Sequence, residues 1–284
     1  MSPVRTVGLV PHPERAAAQE LAWRAAARLA AAGVEVRALA GDAPGLTAHH
    51  VDREHFAAGL DLVVSLGGDG TMLRAVDLVA MAGVPVLGVN AGQLGYLADV
   101  EPAALEDALT RVVAGDYEVS DRMMLEVEVQ GPAHSGTFRA LNEAVLEKAK
   151  PGRIVRLDVS INGTPFTTFA ADGVIVATPT GSTAYSFSAR GPIVSPRHDC
   201  IVLTPVSPHM LFDRPLVLDP REVVGFTVAD GSSVELTVDG RGIGTLTAGT
   251  TVRCTGADRP ARIVTLGPRD FHQVLKAKFG LADR

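Results

Sequence analysis

The chain has 284 residues, with 26 lysines and arginines against 32 aspartates and glutamates, which gives a formal net charge of −6. Its hydrophobic fraction of 46% and charged fraction of 20% are those of a folded globular protein, and the length allows about two domains. The acidic balance, without runs of lysine or arginine, argues against binding to nucleic acid or to an anionic membrane surface. We therefore expect any anionic ligand to be held by a local site.

Features of membrane and secreted proteins are also missing from the sequence. No stretch reaches the roughly 18 to 20 uninterrupted apolar residues of a membrane span, and Pro11, Pro13 and Glu14 fall where a signal peptide would be apolar. Cys200 and Cys254 both lie in apolar runs, so we expect buried thiols and neither a disulfide framework nor a metal cluster. These features predict a cytoplasmic protein.

In residues 1–115, segments with helical spacing of apolar residues alternate with apolar runs of strand length, which is typical of a parallel sheet flanked by helices. Helical spacing predicts one helix between Pro13 and Gly33 and two more at Thr71–Ala82 and Pro102–Ala114. This alternation predicts a Rossmann-like α/β domain. Its expected strands are apolar, β-branched runs, namely Val4–Val10, Val34–Leu39, Leu60–Leu66 and Val84–Val89.

From about Tyr117 the pattern changes to alternating strands separated by turn residues, so we place a mainly β domain at residues 116–267. A short helix is expected at Thr183–Arg190, and the spacing of Phe271, Leu275 and Phe279 predicts an amphipathic helix within residues 268–284. The predicted strands of the β domain are Leu125–Val129, Ile154–Ile161, Val174–Ala177, Val223–Val228, Val234–Val238 and Val252–Cys254.

A glycine-rich turn, Gly67-Gly68-Asp69-Gly70-Thr71, directly follows the predicted strand Leu60–Leu66 and opens a helical pattern. Glycines permit positive φ and close approach of a ligand, while free N–H groups at a helix start attract phosphate oxygens. A carboxylate beside a phosphate is repelled unless it binds a cation or takes a proton, so Asp69 is a candidate for chemistry. The alternative is a plain turn in which Asp69 bonds its own backbone. The position after a buried strand favours a ligand site.

A second polar segment, Thr178–Ser188, follows the apolar run Val174–Ala177. It carries seven hydroxyl groups and one tyrosine ring, whereas a helix cap needs one or two hydroxyls. We expect it to contact a base or a sugar, with an elaborate helix cap as the alternative. Asp172-Gly173 precedes this segment, and Leu141-Asn142-Glu143 ends a strand-like run upstream; either one alone would be an exposed turn.

Taken together and in this order, these segments resemble the ATP-dependent NAD kinases, which phosphorylate the 2′-hydroxyl on the adenosine ribose of NAD. The Gly-Gly-Asp-Gly turn alone is also similar to that of lipid kinases and phosphofructokinases, whereas Thr178–Tyr185 after Asp172-Gly173 is specific. The resemblance implies an α/β domain and a β-sandwich, with the last helix returning to the first domain and NAD between the two. It covers nearly the whole chain and includes Val89–Tyr96, Gly191-Pro192, Thr204-Pro205 and Pro208-His209.

The resemblance also implies roles for individual residues. Asp69 matches the catalytic base, Gly70 its partner at the reacting ribose, and Gly67 and Gly68 belong with Gly70 to the phosphate-binding turn. Many relatives carry glycine at the position of Arg190, and some carry glutamine at the position of Arg241. The positions that match NAD-binding residues, besides Asp69 and Gly70, are Arg74, Asn142, Glu143, Arg153, Ala170, Asp172, Thr183, Ala184, Tyr185, Ser186, Phe187 and Ser188.

Position 170 bears on the choice between oxidised and reduced cofactor. Relatives carry glycine or arginine there, and the difference is linked to preference for NAD or NADH. Strand alternation places Ala170 on the same face as Asp172, the residue expected near the carboxamide end of NAD. A small neutral side chain adds no positive charge beside the cationic nicotinamide, so we expect preference for NAD.

The activity that the resemblance implies is transfer of the γ-phosphate of ATP to NAD, which yields NADP and ADP. A divalent cation, most simply Mg²⁺, would be carried with ATP, because the sequence has no dedicated metal cage. Inorganic polyphosphate stays open as another phosphate donor. The resemblance also implies a homodimer or a homotetramer.

Two other functions stay open at this point. A lipid kinase with the same glycine turn would phosphorylate a diacylglycerol or a sphingoid alcohol, which calls for an exposed apolar groove or a membrane-facing surface. The polarity of Thr178–Ser188 argues against it. A non-catalytic dinucleotide sensor would keep the pocket without turnover, and the intact Asp69 argues against that.

Overall fold

The computed structural model describes residues 4–92, 95–268 and 270–281. The chain divides into two compact units, of which unit 1 spans Met1–Asp121 with Ala261–Arg284 and unit 2 spans Arg122–Pro260. The sequence placed the boundary after residue 115 and left residues up to 267 in the β domain. In the structure the final strand and the terminal helix both belong to unit 1.

The strands of the described residues are, in chain order, β1 (Thr6–Pro11), β2 (Glu35–Leu39), β3 (His49–Val51), β4 (Leu62–Gly67), β5 (Val86–Asn90), β6 (Glu118–Arg122), β7 (Leu125–Gln130), β8 (Ser135–Ala140), β9 (Glu143–Lys148), β10 (Val155–Ile161), β11 (Thr164–Ala171), β12 (Gly173–Ala177), β13 (Ile201–Val206), β14 (Leu216–Leu218), β15 (Val224–Val228), β16 (Ser233–Val238), β17 (Arg241–Thr247), β18 (Thr251–Gly256) and β19 (Ala261–Thr265). The helices are α1 (Ala16–Ala31), α2 (Arg53–Phe56), α3 (Asp69–Val79), α4 (Leu105–Ala114), α5 (Tyr185–Ser188) and α6 (Phe271–Phe279), and single 3₁₀ turns occupy Ala80–Ala82, Pro102–Ala104 and Gly181–Thr183.

Unit 1 is built on a seven-stranded sheet in the order β3-β2-β1-β4-β5-β19-β6. The pairs from β3 through β19 are parallel, as expected of strands joined by helical crossovers. Apolar side chains of α1 and α4, among them Leu21, Leu29 and Leu109, pack into one core with the sheet, and α3 packs against β4. The predicted α/β domain with a parallel sheet is confirmed.

Unit 2 contains two six-stranded sheets, ordered β11-β10-β15-β18-β7-β8 and β14-β13-β12-β9-β16-β17. Their printed pairings are antiparallel. A single hydrophobic core takes side chains from both sheets, for example Leu157 and Phe226 from the first and Leu146 and Val176 from the second. The two sheets therefore pack face to face, and the expected β-sandwich is confirmed.

The second sheet of unit 2 is covered on its outer face as well. Val145, Ile175 and Val202 form a smaller apolar cluster there with Ala189 and Val194, which belong to the segment after β12. Because β12 is buried on both faces, its sequence is a continuous apolar run and not an alternating one. This packing lays the polar segment 178–188 against the sheet.

The two cysteines fit the expectation from sequence. Cys200 and Cys254 are free and buried, and burial raises the pKa of the Cys254 thiol to about 12. Among the residues that the structure describes, no helix is long and apolar enough to cross a membrane.

Candidate active site

The glycine turn of unit 1 joins β4, which ends at Gly67, to α3, which begins at Asp69. The turn does not use the positive φ that glycine permits: Gly68 has a φ of −101°, and neither Gly67 nor Gly70 has a positive φ. Close packing explains Gly67 instead, because a Cβ there would lie 2.1 Å from Oγ1 of Thr71. A Cβ on Gly68 or Gly70 would meet nothing within 4 Å. The backbone of these two residues is therefore open to a ligand.

The carboxylate of Asp69 is held by the loop that follows β5. Its Oδ2 accepts a hydrogen bond from the Tyr96 N–H at 2.9 Å and its Oδ1 one from the Leu97 N–H at 3.0 Å. A Cβ at Gly95 would lie 2.2 Å from Oδ1, so only glycine admits this contact. The first N–H groups of a helix have no partner within it and attract anions. Asp69 is thus a fixed carboxylate at an anion-attracting helix start.

Gly95 and Tyr96 are site residues to which the sequence assigned no role, although they belong to the Val89–Tyr96 motif. Burial raises the pKa of the Tyr96 phenol, and the nearby charge of Asp69 adds to this shift. The Nζ atom of Lys278, on α6, lies 5.1 Å from the centre of the Tyr96 ring, within the range of a cation–π interaction. The terminal helix therefore contributes a cation beside the loop that orients Asp69.

Arg74 lies one turn further along α3, as predicted. Its Nη2 atom is 2.6 Å from Oδ1 of Asp42, a buried carboxylate, and its Nη1 atom is 3.5 Å from the Pro11 carbonyl. The guanidinium is thus held by an acidic partner within unit 1. Its contact with a dinucleotide stays a prediction.

In unit 2, the register of two strands brings distant site residues together. β9 and β12 pair antiparallel with Glu143 opposite Ala177, so the start of β9 adjoins the segment that follows β12. The Thr178 N–H donates to the Asn142 carbonyl at 2.9 Å, and a Cβ on Gly181 would lie 2.1 Å from that oxygen. The Asn142-Glu143 pair and the segment 178–188 therefore form one structural group.

Glu143 is the most perturbed acid of this group. Its side chain is buried, with 8% exposed, and its Oε2 atom has no hydrogen-bond partner in the described structure. Burial, and secondarily the negative charge of Asp239, raise its pKa to about 8, against a smaller opposing effect of the Tyr185 backbone N–H. These effects favour the protonated form of Glu143, which can donate a hydrogen bond.

The polar segment divides into buried and exposed side chains. Its predicted helix at Thr183–Arg190 is shorter in the structure, where α5 covers only Tyr185–Ser188. Ser186 is buried and shares a 2.9 Å hydrogen bond with Thr204. The rings of Tyr185 and Phe187 are exposed by 39% and 37%, which leaves them accessible to a ligand. Thr183 and Ala184 are half-buried, and Ser188 is exposed.

Asp172 lies between β11 and β12, at the opposite end of β12 from Thr178. Its Oδ1 atom is 2.7 Å from Nζ of Lys148. Burial raises the pKa of the Tyr185 phenol, and the charges of Glu147 and Asp172 add to the rise. Tyr185 thus has its backbone near Glu143 and its hydroxyl within electrostatic range of Asp172.

Three further predicted or flagged positions lie around these groups. Ala170 is half-buried and stands opposite Arg156 in the β10–β11 ladder, while Arg153 is exposed in the turn before β10. Arg190 has a φ of +67°, a left-handed conformation that glycine adopts more easily. A cavity of about 450 Å³ is lined by Tyr185 and residues 188–190, by the end of β13, and by Ser207, Pro208, Met210 and residues 213–215 of the loop that follows.

Among residues 4–92, 95–268 and 270–281, no set of three or more histidine, cysteine, aspartate or glutamate side chains is placed to hold a metal ion.

Comparison with known families identifies both units. Residues 7–117 match the family model of the ATP-NAD kinase N-terminal domain, and residues 141–266 match that of the ATP-NAD kinase C-terminal domain. The chain belongs to the ATP-NAD kinase family. The family predicted from the sequence motifs is thus confirmed, and a lipid kinase is not favoured.

Individual members of the NAD kinase family are similar over most of their length. The NAD kinase of Nocardia farcinica is 39% identical over 299 residues, which cover 98% of this chain and 92% of the relative. That of Moorella thermoacetica is 45% identical over 217 residues, covering 76% and 70%. The crystal structure of yeast NADH kinase complexed with NADH matches with a TM-score of 0.90 at 26% identity, covering 100% of this chain and 90% of the yeast chain.

Proposed function

We propose that this chain transfers the γ-phosphate of ATP to the 2′-hydroxyl of the adenosine ribose of NAD, giving NADP and ADP. The observation that carries the proposal is the geometry of Asp69 at the start of α3, where the backbone N–H groups of Tyr96 and Leu97 fix its two carboxylate oxygens. Membership of the ATP-NAD kinase family supports the same reaction.

The chemistry asks the protein mainly to position two oxygens and to balance charge. Asp69 would accept the 2′-hydroxyl proton as that oxygen attacks the γ-phosphorus, and ADP leaves with the electrons of the broken P–O bond. The accessible N–H groups of Gly68 and Gly70 would bind phosphate oxygens, and Gly67 closes the turn onto Thr71. A divalent cation, for which we propose Mg²⁺, would offset the negative charge of the ATP phosphates.

Most of the residues proposed to contact the acceptor belong to unit 2. Asn142 and the protonated Glu143 would hydrogen-bond polar groups of NAD, and the exposed Tyr185 ring would contact an aromatic or sugar face. Asp172 would accept a hydrogen bond from the carboxamide end of NAD. Arg74, Arg153 and the segment Thr183–Ser188 complete the proposed contacts.

The direct test is to incubate the purified chain with NAD, ATP and Mg²⁺ and to measure NADP. Formation of NADP at a rate proportional to enzyme supports the proposal. Tight NAD binding without turnover would instead favour a dinucleotide sensor. Replacing ATP by inorganic polyphosphate in the same assay decides whether that donor is also used.

Tyr185→Ala should weaken NAD binding by about tenfold or more while affinity for ATP changes little. The ring is exposed and belongs to the proposed acceptor site, and loss of such an aromatic contact costs on the order of 1 kcal/mol or more. Calorimetric titration with each nucleotide measures both affinities. Tyr185→Phe, which keeps the ring, serves as the control, and equal weakening of NAD and ATP would make the segment structural.

Ala170→Arg should lower kcat/KM for NAD more than for NADH. The arginine would add a cation that repels only the charged, oxidised nicotinamide, by about 1 to 4 kcal/mol at 4 Å depending on the effective dielectric. The wild type should prefer NAD, because Ala170 adds no such charge. Arg156 lies opposite position 170 in the wild type and in every variant. Ala170→Gln is the control, because it adds a long side chain without adding charge. An unchanged ratio of the two kcat/KM values would place residue 170 away from the ring, and a wild-type preference for NADH would refute the assignment.

Assembly is proposed from the family resemblance, and location from the sequence features described above. We expect a homodimer or a homotetramer in the cytoplasm. Light scattering at working concentration tests the first, since a monomer-sized species alone would contradict it.

A further inference from the structure

Asp239 occupies the tight turn between β16 and β17, where it has a φ of +48° and is followed by Gly240 at +74°. Two consecutive positive φ angles are typical of a two-residue hairpin turn of type I′, which favours Asp-Gly. The side chain of Asp239 does not face away from the sheet. It turns back onto the strand that neighbours β16, which is β9.

The carboxylate of Asp239 accepts hydrogen bonds from three consecutive backbone N–H groups at the start of β9. Its Oδ2 lies 2.7 Å from the Leu141 nitrogen, and its Oδ1 lies 2.8 Å from the Asn142 nitrogen and 3.1 Å from the Glu143 nitrogen. In return, the Asp239 N–H donates to the Glu143 carbonyl at 3.0 Å. One side chain therefore fixes the backbone of both residues in the proposed NAD-binding pair.

The same backbone supports the polar segment on its other side. The Asn142 carbonyl accepts from the Thr178 N–H, and the Leu141 carbonyl accepts from the Thr178 hydroxyl. A shift of residues 141–143 would therefore also displace the start of the segment that leads to Tyr185. Asp239 is thus connected to the proposed acceptor site through the backbone of residues 141–143.

We propose that Asp239 is a positioning residue for the acceptor dinucleotide, which acts by holding Asn142 and Glu143 in their binding geometry. The proposal rests on the proposed function, since it takes NAD as the ligand of this group. It requires no contact between Asp239 and the ligand.

Charge provides a second link between Asp239 and Glu143. Three effects set the pKa of Glu143. They are the burial of its side chain, the charge of the Asp239 carboxylate on the β16–β17 turn, and the hydrogen bond from the Tyr185 backbone N–H of α5. The carboxylate favours the protonated form, and the N–H favours the ionised form. Removing the charge of Asp239 should therefore let Glu143 ionise at a lower pH.

The chain contains a matched control at the other end of β16. Asp230-Gly231 is the same dipeptide in the turn between β15 and β16, and Gly231 also has a positive φ. Asp230 is exposed, and its side chain has no hydrogen bond or ion pair with the described residues. Asp230→Ala removes a carboxylate from the Asp-Gly turn at the other end of β16 without touching residues 141–143.

The experiment compares Asp239→Asn, Asp239→Ala and Asp230→Ala with the wild type in the NADP-forming assay. We expect Asp239→Asn to raise the KM for NAD about tenfold or more and Asp239→Ala to raise it further, because asparagine retains one acceptor oxygen. The KM for ATP should stay within about twofold. Asp230→Ala should change neither. A tenfold change corresponds to about 1.4 kcal/mol, which is within the range for hydrogen bonds to a charged group.

A pH series adds a readout that a structural role would not move. The KM of the wild type for NAD should rise as pH passes through about 8, where Glu143 ionises, and in Asp239→Asn this rise should begin at lower pH. Folded variants with an unchanged KM for NAD, or with equal increases for NAD and ATP, would overturn the proposal. Loss of the folded state in both Asp239 variants, judged by thermal melting, would also overturn it and assign Asp239 to stability.

Failure of the proposed function gives a different result. If the wild type forms no NADP, the kinase assignment fails, and the Asp239 variants are then compared by calorimetric titration with NAD. Weaker NAD binding by Asp239→Asn but not by Asp230→Ala would support the positioning role, and equal binding would refute it.

Discussion

Asp69→Asn should lower kcat by roughly 10²–10⁴-fold, the usual contribution of a general base, while the chain still folds and binds NAD. Asparagine keeps the shape of the side chain and removes its ability to take the 2′-hydroxyl proton. In the structure both oxygens of Asp69 accept N–H bonds, so the asparagine amide must leave one of these donors unpaired. We therefore also expect a loss of stability of about 1 kcal/mol.

The measurement is the steady-state rate at saturating NAD and ATP, with melting temperature and NAD affinity determined on the same preparations. Asp77→Asn is the matched control, because it makes the same substitution on α3 at a residue paired with Arg53. It should keep most of the wild-type kcat. A loss below about tenfold in Asp69→Asn would remove Asp69 from the role of base.

The sequence could predict the longer helices and the central strands β1, β2, β4 and β5 of unit 1 because their hydrophobic patterns are local, whereas β3, α2, β6 and β19 were not predicted. β4 is buried at every position, so its apolar run and the glycines after it were recognisable without a structure. The backbone conformation of the glycine turn could not be predicted in this way. Glycine permits positive φ but does not require it, and Gly67 is instead needed because the Thr71 side chain packs against it.

Contacts between distant residues were the least predictable part of the candidate site. Arg74 pairs with Asp42, 32 positions earlier, and Asp239 caps Asn142 from 97 positions away. No local pattern encodes such pairs, since they depend on strand register and sheet order. For the same reason, β19 has a strand pattern like those of unit 2 but pairs with β5 of unit 1.

The resemblance to the NAD kinases supplied residue roles that local chemistry alone left open. It selected Asn142 and Glu143, which by themselves would be read as an exposed turn. The structure adds a physical property to this selection, because Glu143 is buried and its pKa is raised to about 8. A local sequence pattern could not predict that shift, since burial and Asp239 cause it.

Glu143→Gln should make the free energy of unfolding less dependent on pH. Because the pKa of Glu143 is raised in the folded chain, the contribution that the variant removes is a loss of stability as the pH increases. The pKa of Glu143 rises from 4.5, the value for an unperturbed side chain, to about 8 in the folded chain. Between these values the folded chain binds a proton that the unfolded chain releases. Raising the pH through this interval therefore favours unfolding of the wild type, by at most about 1.4 kcal/mol per pH unit.

The glutamine variant binds no proton at position 143, so this source of pH dependence is removed. Its amide can still donate a hydrogen bond, as the protonated carboxyl does. We expect the stability of Glu143→Gln relative to the wild type to increase from about pH 5 to pH 8 and then to level off, as measured by urea unfolding without ligand.

Glu147→Gln, on the same strand but only half-buried, is the control and should show a smaller trend. A stability difference between Glu143→Gln and the wild type that stays constant from pH 5 to pH 9 would mean that Glu143 is already ionised in the folded chain, and its proposed role as a hydrogen-bond donor to NAD would then be wrong.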